Sequence, residues 1–147
     1  MESLFGSSPA QMTLFADGGS RGNPGPAASG AVLLAEDGTI VREVGRFLGI
    51  ATNNVAEWNA VLFGLEAALE LGVTSIAIRL DSELVVKQLT GEYRVKHPDL
   101  QPLHRKATTL LRRFSHVDLK HVRRNQNKLA DAVVNRVLDQ EASAPTK

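Results

Sequence analysis

Cysteine is absent from the 147 residues. That absence excludes a disulfide framework, a thiolate zinc site and a cysteine nucleophile together. Aromatic residues are scarce at 5%, and Met1 to Gln11 holds no Lys or Arg. No apolar run approaches the roughly 18 residues that a membrane-spanning helix needs. A start without Lys or Arg is expected to be neither a secretory n-region nor an Arg-rich transit peptide. The expectation is a cytoplasmic protein without membrane association. What is present, 43% hydrophobic and 22% charged residues, suits one globular domain with a sizeable core and excludes wholesale disorder.

The net charge of +1 hides an asymmetry. Residues 1–78 carry three basic groups against eight acids, residues 79–128 twelve against five, and residues 129–147 two against three. A basic middle is compatible with a face that binds a polyanion, and equally with a solvated Lys/Arg surface.

Residues 1–11 and 142–147 read as flexible tails, with one domain over residues 12–141 between them. The apolar run Met12 to Ala16 predicts a buried strand ending at Asp17. Gly18 to Pro26 reads as a loop. A strand over Ala28 to Ala35 turns at Glu36-Asp37-Gly38-Thr39 into a third strand, Ile40 to Leu48. Val55, Trp58, Val61, Leu62, Leu65 and Leu69 fall at helical spacing, so a helix runs from about Asn54 to Leu71. Ser75 to Leu80 alternates as a strand, and a short helix follows from Ser82 to Thr90. Asp99 is placed to cap a further helix carrying Leu100, Leu103, Ala107, Leu110, Leu111 and Phe114. Val117 to Val122 reads as the fifth strand, and Asn127 to Gln140 as the last helix. The order β-β-β-α-β-α-α-β-α implies a three-layer α/β sandwich, a mixed five-stranded sheet with helices on both faces. No face is an evident dimer interface, and a monomer is expected.

Four acids stand in positions that can carry chemistry. Asp17 and Asp81 each close an apolar strand, Glu57 lies near the start of the long helix, and Asp131 near the start of the last. If the first and fourth strands are neighbours, Asp17 and Asp81 meet at one rim, where two helices can add Glu57 and Asp131. Carboxylates so close repel unless a cation neutralises them. Oxygen-only ligation suits Mg²⁺ or Mn²⁺, and a pair of such ions serves phosphodiester cleavage. Each acid also has a plainer reading. Glu57 and Asp131 can complement helix dipoles, Asp17-Gly-Gly can be a turn, and Asp81-Ser82 a helix cap.

The constellation as a whole resembles a known family. Asp17-Gly-Gly-Ser-Arg-Gly-Asn-Pro-Gly-Pro-Ala27, Thr52-Asn-Asn-Val-Ala-Glu57, Leu80-Asp-Ser-Glu-Leu-Val85 and Asn127-Lys-Leu-Ala-Asp131 look like the four signature segments of type 1 ribonuclease H, in that family's order. The resemblance spans about Met12 to Leu138. It implies a ribonuclease H-like fold and an endoribonuclease that hydrolyses the RNA strand of RNA–DNA hybrids, leaving 5′-phosphate and 3′-hydroxyl ends. It implies two Mg²⁺ ions, with Mn²⁺ a substitute, held by Asp17, Glu57, Asp81 and Asp131. Gly22, Asn23, Thr52, Asn53 and Asn54 become candidate substrate contacts, selecting the RNA 2′-hydroxyl and a DNA phosphate. Read alone, Asn23-Pro24-Gly25 is a turn and Asn53-Asn54 a helix cap.

Two departures from the family pattern matter. Many members carry a basic, Trp-bearing protrusion where this chain has only the connector Gly91 to Pro98. Affinity is then either lower or rests on Lys87, Arg94, Lys96, Arg105 and Lys106, with Arg94 and Lys96 the candidate contacts. Many members also place a histidine on a flexible loop before the last aspartate. Here His121 shares a strand face with Val117 and Leu119 and reads as packed, while Arg124 occupies the turn and is the favoured candidate catalytic residue. Arg124 can hold phosphate charge but cannot shuttle protons. Two other readings remain open: a hybrid- or double-strand-binding module without turnover, and a same-fold nuclease for double-stranded RNA or RNA–DNA junctions. A nucleotide-binding enzyme is disfavoured, because Gly18, Gly19, Gly22 and Gly25 match neither G-x-G-x-x-G nor a P-loop.

Overall fold

The computed structural model describes residues 11–143. Its elements are β1 (Gln11–Ser20), β2 (Gly25–Leu34), β3 (Ile40–Ala51), α1 (Asn53–Glu70), β4 (Ser75–Leu80), α2 (Glu83–Thr90), α3 (Gln101–Leu111), β5 (His116–His121) and α4 (Lys128–Ala142), with one 3-10 turn at Arg124–Gln126. The expected tails, residues 1–11 and 142–147, fall mostly outside the described residues. At their inner ends Gln11 already belongs to β1 and Ala142 still to α4.

One five-stranded sheet runs in the order β3-β2-β1-β4-β5. β1/β2 and β2/β3 are antiparallel, while β1/β4 and β4/β5 are parallel. Ala16 of β1 pairs with Leu80 of β4. Asp17 and Asp81 therefore leave the same rim of the sheet side by side.

Successive strand residues face opposite ways, which fixes the layers. Ser29 Oγ donates to the Ala56 carbonyl of α1 at 2.6 Å, whereas the next residue, Gly30, lies against Ala130 and Val133 of α4. The two helices cover opposite faces. α2 and α3 share the α1 side, where Val85, Ala107 and Phe114 join one core with Leu14, Trp58, Leu65, Ile76 and Ile78. Each such large side chain removed from water contributes about 1.5–3 kcal/mol. Ala28, Val134 and Leu138 make a smaller cluster beneath α4.

Several sequence expectations need correction. The stretch Gly18 to Pro26 is mostly strand, because Gly18, Gly19 and Ser20 pair with Ser29, Ala28 and Ala27. Only residues 21–24 turn, closed by Arg21 N–H donating to the Pro26 carbonyl at 2.8 Å. The antiparallel ladder outweighs the weak strand preference of glycine. α1 begins one residue early, with Thr52 Oγ1 accepting from Val55 N–H at 3.2 Å. Glu57 thus sits in the second turn, beyond the reach of a helix-dipole role.

Asp99 does not cap α3. Leu100 holds that position, and Asp99 instead donates its N–H to His97 Nδ1 at 3.1 Å. His121 is exposed, not packed, with Nε2 3.3 Å from the Asp81 carbonyl. β5 is an edge strand whose middle residue Leu119 packs against the core, while Val117 on the same face is 40% exposed, so the cover does not extend to the strand's ends.

Candidate active site

Asp17, Glu57 and Asp81 each bring one carboxylate oxygen within 4.8 Å of the others. They come from β1, from α1 and from the residue after β4. What lets α1 approach is Gly18. A Cβ there would lie 2.2 Å from the Ala56 carbonyl carbon and 2.3 Å from the Glu57 nitrogen. Polar contacts hold the helix start in place: Ser20 N–H donates to Asn53 Oδ1 at 2.8 Å, and Asn53 N–H to Asn23 Oδ1 at 3.1 Å.

α4 supplies the fourth acid. Asn127, fully enclosed, donates Nδ2 to the Ala16 carbonyl at 2.9 Å, tying the start of α4 to the residue before Asp17. Asp131 N–H donates to the Asn127 carbonyl at 3.1 Å. Asn135 Nδ2 donates to Asp131 Oδ2 at 3.2 Å. Asp17, Glu57, Asp81, Asp131, Arg124 and Asn53 all line one open cleft of about 390 Å³.

Asn127→Ala removes a buried donor from the Ala16 carbonyl, a loss that costs about 1–3 kcal/mol. The expected outcome in a thermal melt is a Tm lower by roughly 2–12 °C. Activity on substrate should fall with it, because the anchor of Asp131 is gone.

The electrostatics of the cleft are those of an unneutralised acidic cluster. Partial burial, then repulsion from Asp81, Asp131 and Glu57, pushes Asp17 up to about 8. The Gly18 N–H, 3.0 Å from Asp17 Oδ1, pulls it down only in part. Burial and Asp81 push Glu57 up to about 7, against the opposing charge of Arg124. These oxygens can hold a hard cation, and such an ion would relieve the repulsion.

The other candidate residues divide among four places. Arg124 and Asn53 lie in the cleft. Asn53 is shared with an adjoining groove of about 400 Å³ that Asn23, Thr52, Asn54 and His97 also line. Gly22 lies outside both linings, in the turn at φ +92°, its carbonyl accepting from Ser20 Oγ. Arg94 and Lys96 line a third groove and are not brought to the carboxylates.

Sequence reasoning missed Asn135 and the anchoring role of Asn127. Asn135 was findable, four residues after Asp131 on one helix face. Asn127 carried no such signal, because its partner is 111 residues away. Arg21 also lines the cleft, paired with Asp139 at 2.6 Å.

The reverse transcriptase-like family model matches residues 15–137. Ribonuclease HI of Halobacterium salinarum is 50% identical over 123 residues, 84% of this chain and 62% of that protein. The N-terminal RNase H domain of Rv2228c from Mycobacterium tuberculosis superposes with a TM-score of 0.87 at 43% identity, covering 90% of this chain and 96% of that one. The chain belongs to the type 1 ribonuclease H family.

A further family structure, LC11-RNase H1 in complex with an RNA/DNA hybrid, has a TM-score of 0.85 at 36% identity and covers 90% of this chain and 99% of that one. The chain spans 62% of the length of the halobacterial protein and 37% of the mycobacterial bifunctional protein Rv2228c. The mixed sheet and its helices are thus those of the ribonuclease H fold. No helix among the described residues is long and apolar enough to cross a membrane.

Proposed function

We propose that this chain is a metal-dependent endoribonuclease that hydrolyses the RNA strand of RNA–DNA hybrids, leaving 5′-phosphate and 3′-hydroxyl ends. The observation that carries the reading is the convergence of Asp17, Glu57 and Asp81 within 4.8 Å. It is supported by the family's hybrid-bound member. Asp17, Glu57, Asp81 and Asp131 would hold two divalent ions. The all-oxygen donor set fits Mg²⁺, with Mn²⁺ as a substitute. Bound there, a pair of such ions activates a water for attack on phosphorus and stabilises the leaving oxygen.

The protein's own groups orient the substrate. Arg124, which lines the cleft with Glu57 and opposes its upward shift, holds phosphate charge at the scissile position. Asn53 and Asn54 offer donors and acceptors to a 2′-hydroxyl, which presents both. Asn23 and Thr52 face a neighbouring backbone phosphate, and the Gly22 turn sets their approach. Arg94 and Lys96 meet the hybrid farther out. The reading includes a monomer working in the cytoplasm.

The test is one end-labelled sequence presented as RNA–DNA hybrid, double-stranded RNA, double-stranded DNA and single-stranded RNA, with Mg²⁺, with Mn²⁺ and with chelator. Metal-dependent loss of the hybrid's RNA strand alone is expected. Cleavage of double-stranded RNA in preference, or hybrid binding without cleavage under either metal, would overturn the reading.

A further inference from the structure

Along α4, every fourth residue from its cap is polar: Asn127, Asp131, Asn135 and Asp139. Residues four apart are neighbours on a helix, so the four form one row. Its first member is fixed by the buried bond to the Ala16 carbonyl. Asn135 Nδ2 donates to both the carbonyl and Oδ2 of Asp131, each at 3.2 Å. The last member, Asp139, accepts from Arg21 Nη2 at 2.6 Å. Arg21 stands just past the end of β1, and its backbone is itself fixed. Its N–H is bonded to the Pro26 carbonyl, and its carbonyl oxygen lies so close to Gly25 that a Cβ there would come within 2.2 Å. The row is thus tied to the chain on both sides of Asp17, at Ala16 and at Arg21.

What lies beneath α4 does little to fix its position. The apolar cluster there is Ala28, Val134 and Leu138, with Val137 packed against it. The helix rests on Gly30 and Gly45, where a Cβ would meet Ala130, Val133 or Val137 at 2.7–3.0 Å. Apolar contact is non-directional, and a floor of bare glycines offers no side chain to stop the helix sliding. Direction comes from the polar ties. Arg136 bonds Glu43 at 3.1 Å and draws α4 toward β3, an edge of the sheet. The Arg21–Asp139 pair draws it back toward the cleft, which Arg21 itself lines. Asp131 stands outside the close triad of Asp17, Glu57 and Asp81, so its place depends on where α4 lies. From Asn127 to Asp139 is about 18 Å of helix, with Asp131 a third of the way along. A slip at Asp139 that pivots on Asn127 moves Asp131 by about a third as much, and a functional constellation tolerates only about 0.5 Å.

We propose that Arg21 and Asp139 are positioning residues: they strap α4 to the cleft side of the sheet and so set where Asp131 meets the divalent ions. The proposal rests on the metal-dependent reading above. The pair is exposed and adds little to global stability. Its effect is on placement, with Asn135 passing that placement to the Asp131 carboxylate.

The test uses the full chain. Mg²⁺ binding is measured by calorimetry at pH 7 in the parent, Arg21→Gln, Asp139→Asn, the double variant and Arg136→Gln. Both single variants are expected to weaken binding by about three- to tenfold, and the double variant to lose no more than either. Charge alone predicts opposite signs: removing a cation beside the acids tightens binding, and removing an acid weakens it. Arg136→Gln is expected to stay within about twofold of the parent. In cleavage at saturating hybrid, the Mg²⁺ needed for half the maximal rate should rise by the same factor, with KM for the hybrid altered less than about twofold. Amide exchange over residues 132–142 in the metal-free proteins reads the strap without ions, and should be several-fold faster in both single variants. Melts within a few degrees of the parent show that the fold is kept. Tighter binding by Arg21→Gln, a KM raised in Arg21→Gln alone, or a loss in Arg136→Gln equal to that in Asp139→Asn would each overturn the proposal, as would unaltered binding and exchange. A parent that binds no Mg²⁺ and cleaves no hybrid overturns the metal-dependent reading instead, and the exchange measurement still decides the strap.

Discussion

Asp17→Asn should abolish hybrid cleavage and at the same time raise the thermal stability of the metal-free protein. Activity is expected to fall at least about 10³-fold, since Asp17 is the carboxylate on which the other three converge. The gain in stability follows from the same convergence. Asp17 is held at about 8 in the folded chain against 3.8 for the ordinary group. Between those values the folded state keeps a proton that the unfolded state has released. Stability from this site is therefore fully present below pH 4 and is lost as pH rises to 8. Asparagine removes the penalty. The Tm gap between variant and parent should widen from pH 5 to pH 8 and reach roughly 2–8 °C, corresponding to the 1–2 kcal/mol usual when a strained functional position is relieved. Millimolar Mg²⁺ should close the gap by stabilising the charged parent. A parent as stable as the variant throughout that range would mean that the carboxylates do not repel.

Gly18→Ala should be far more damaging than Gly19→Ala, although the two are adjacent glycines in one motif. A Cβ on residue 18 meets backbone atoms of Ala56 and Glu57 at 2.2–2.4 Å. Those atoms belong to a helix pinned by Ser29 Oγ at 2.6 Å, so relief requires lifting α1 off the sheet. The cost is about 3 kcal/mol or more, a Tm lower by roughly 6–12 °C. Glu57 moves with the displaced backbone, so activity falls beyond what lost stability explains. A Cβ on residue 19 meets only the Val134 Cγ1 methyl, at 3.4 Å, an ordinary contact. Gly19→Ala should stay within about 1 kcal/mol of the parent. Paired melts and initial rates check both, and equal effects of the two substitutions would contradict this account of how Glu57 is placed.

That pair of glycines also marks where the sequence stops being legible. Hydrophobic period was enough to read nine elements in order, because the burial that stabilises each strand and helix is the burial that patterns it. Asp17 and Asp81 were legible as strand-end acids, and their meeting needed only β1 and β4 to be neighbours. Long-range contacts left no comparable trace. β1 runs past Asp17 to Ser20 because β2 pairs with it, not because of any local preference of Gly18 and Gly19. Asn127 reads in sequence as the first residue of the last helix, yet its side chain bonds β1. Asp99 matched a cap pattern, but His97 takes its N–H and Leu100 starts the helix. His121 alternates with Val117 and Leu119, and that alternation predicts a packed face only where another layer covers it. Arg94 and Lys96 were legible as charge, but their distance from the carboxylates was set by the length of α2.

Hydrolysis as proposed requires divalent ions to complete the four-acid cluster. The direct measurement is a calorimetric titration of Mg²⁺, and then Mn²⁺, into the parent protein at pH 7 in two buffers of different ionisation enthalpy, with Asp17→Asn as comparison. Saturable binding with release of protons is predicted for the parent, since the ions must displace the proton that burial, with repulsion added, keeps on Asp17. The variant should bind more weakly and release fewer protons. Saturable binding of equal strength and equal proton release in both proteins, or no binding to the parent at millimolar concentrations, would contradict the assignment of this cluster as the metal centre.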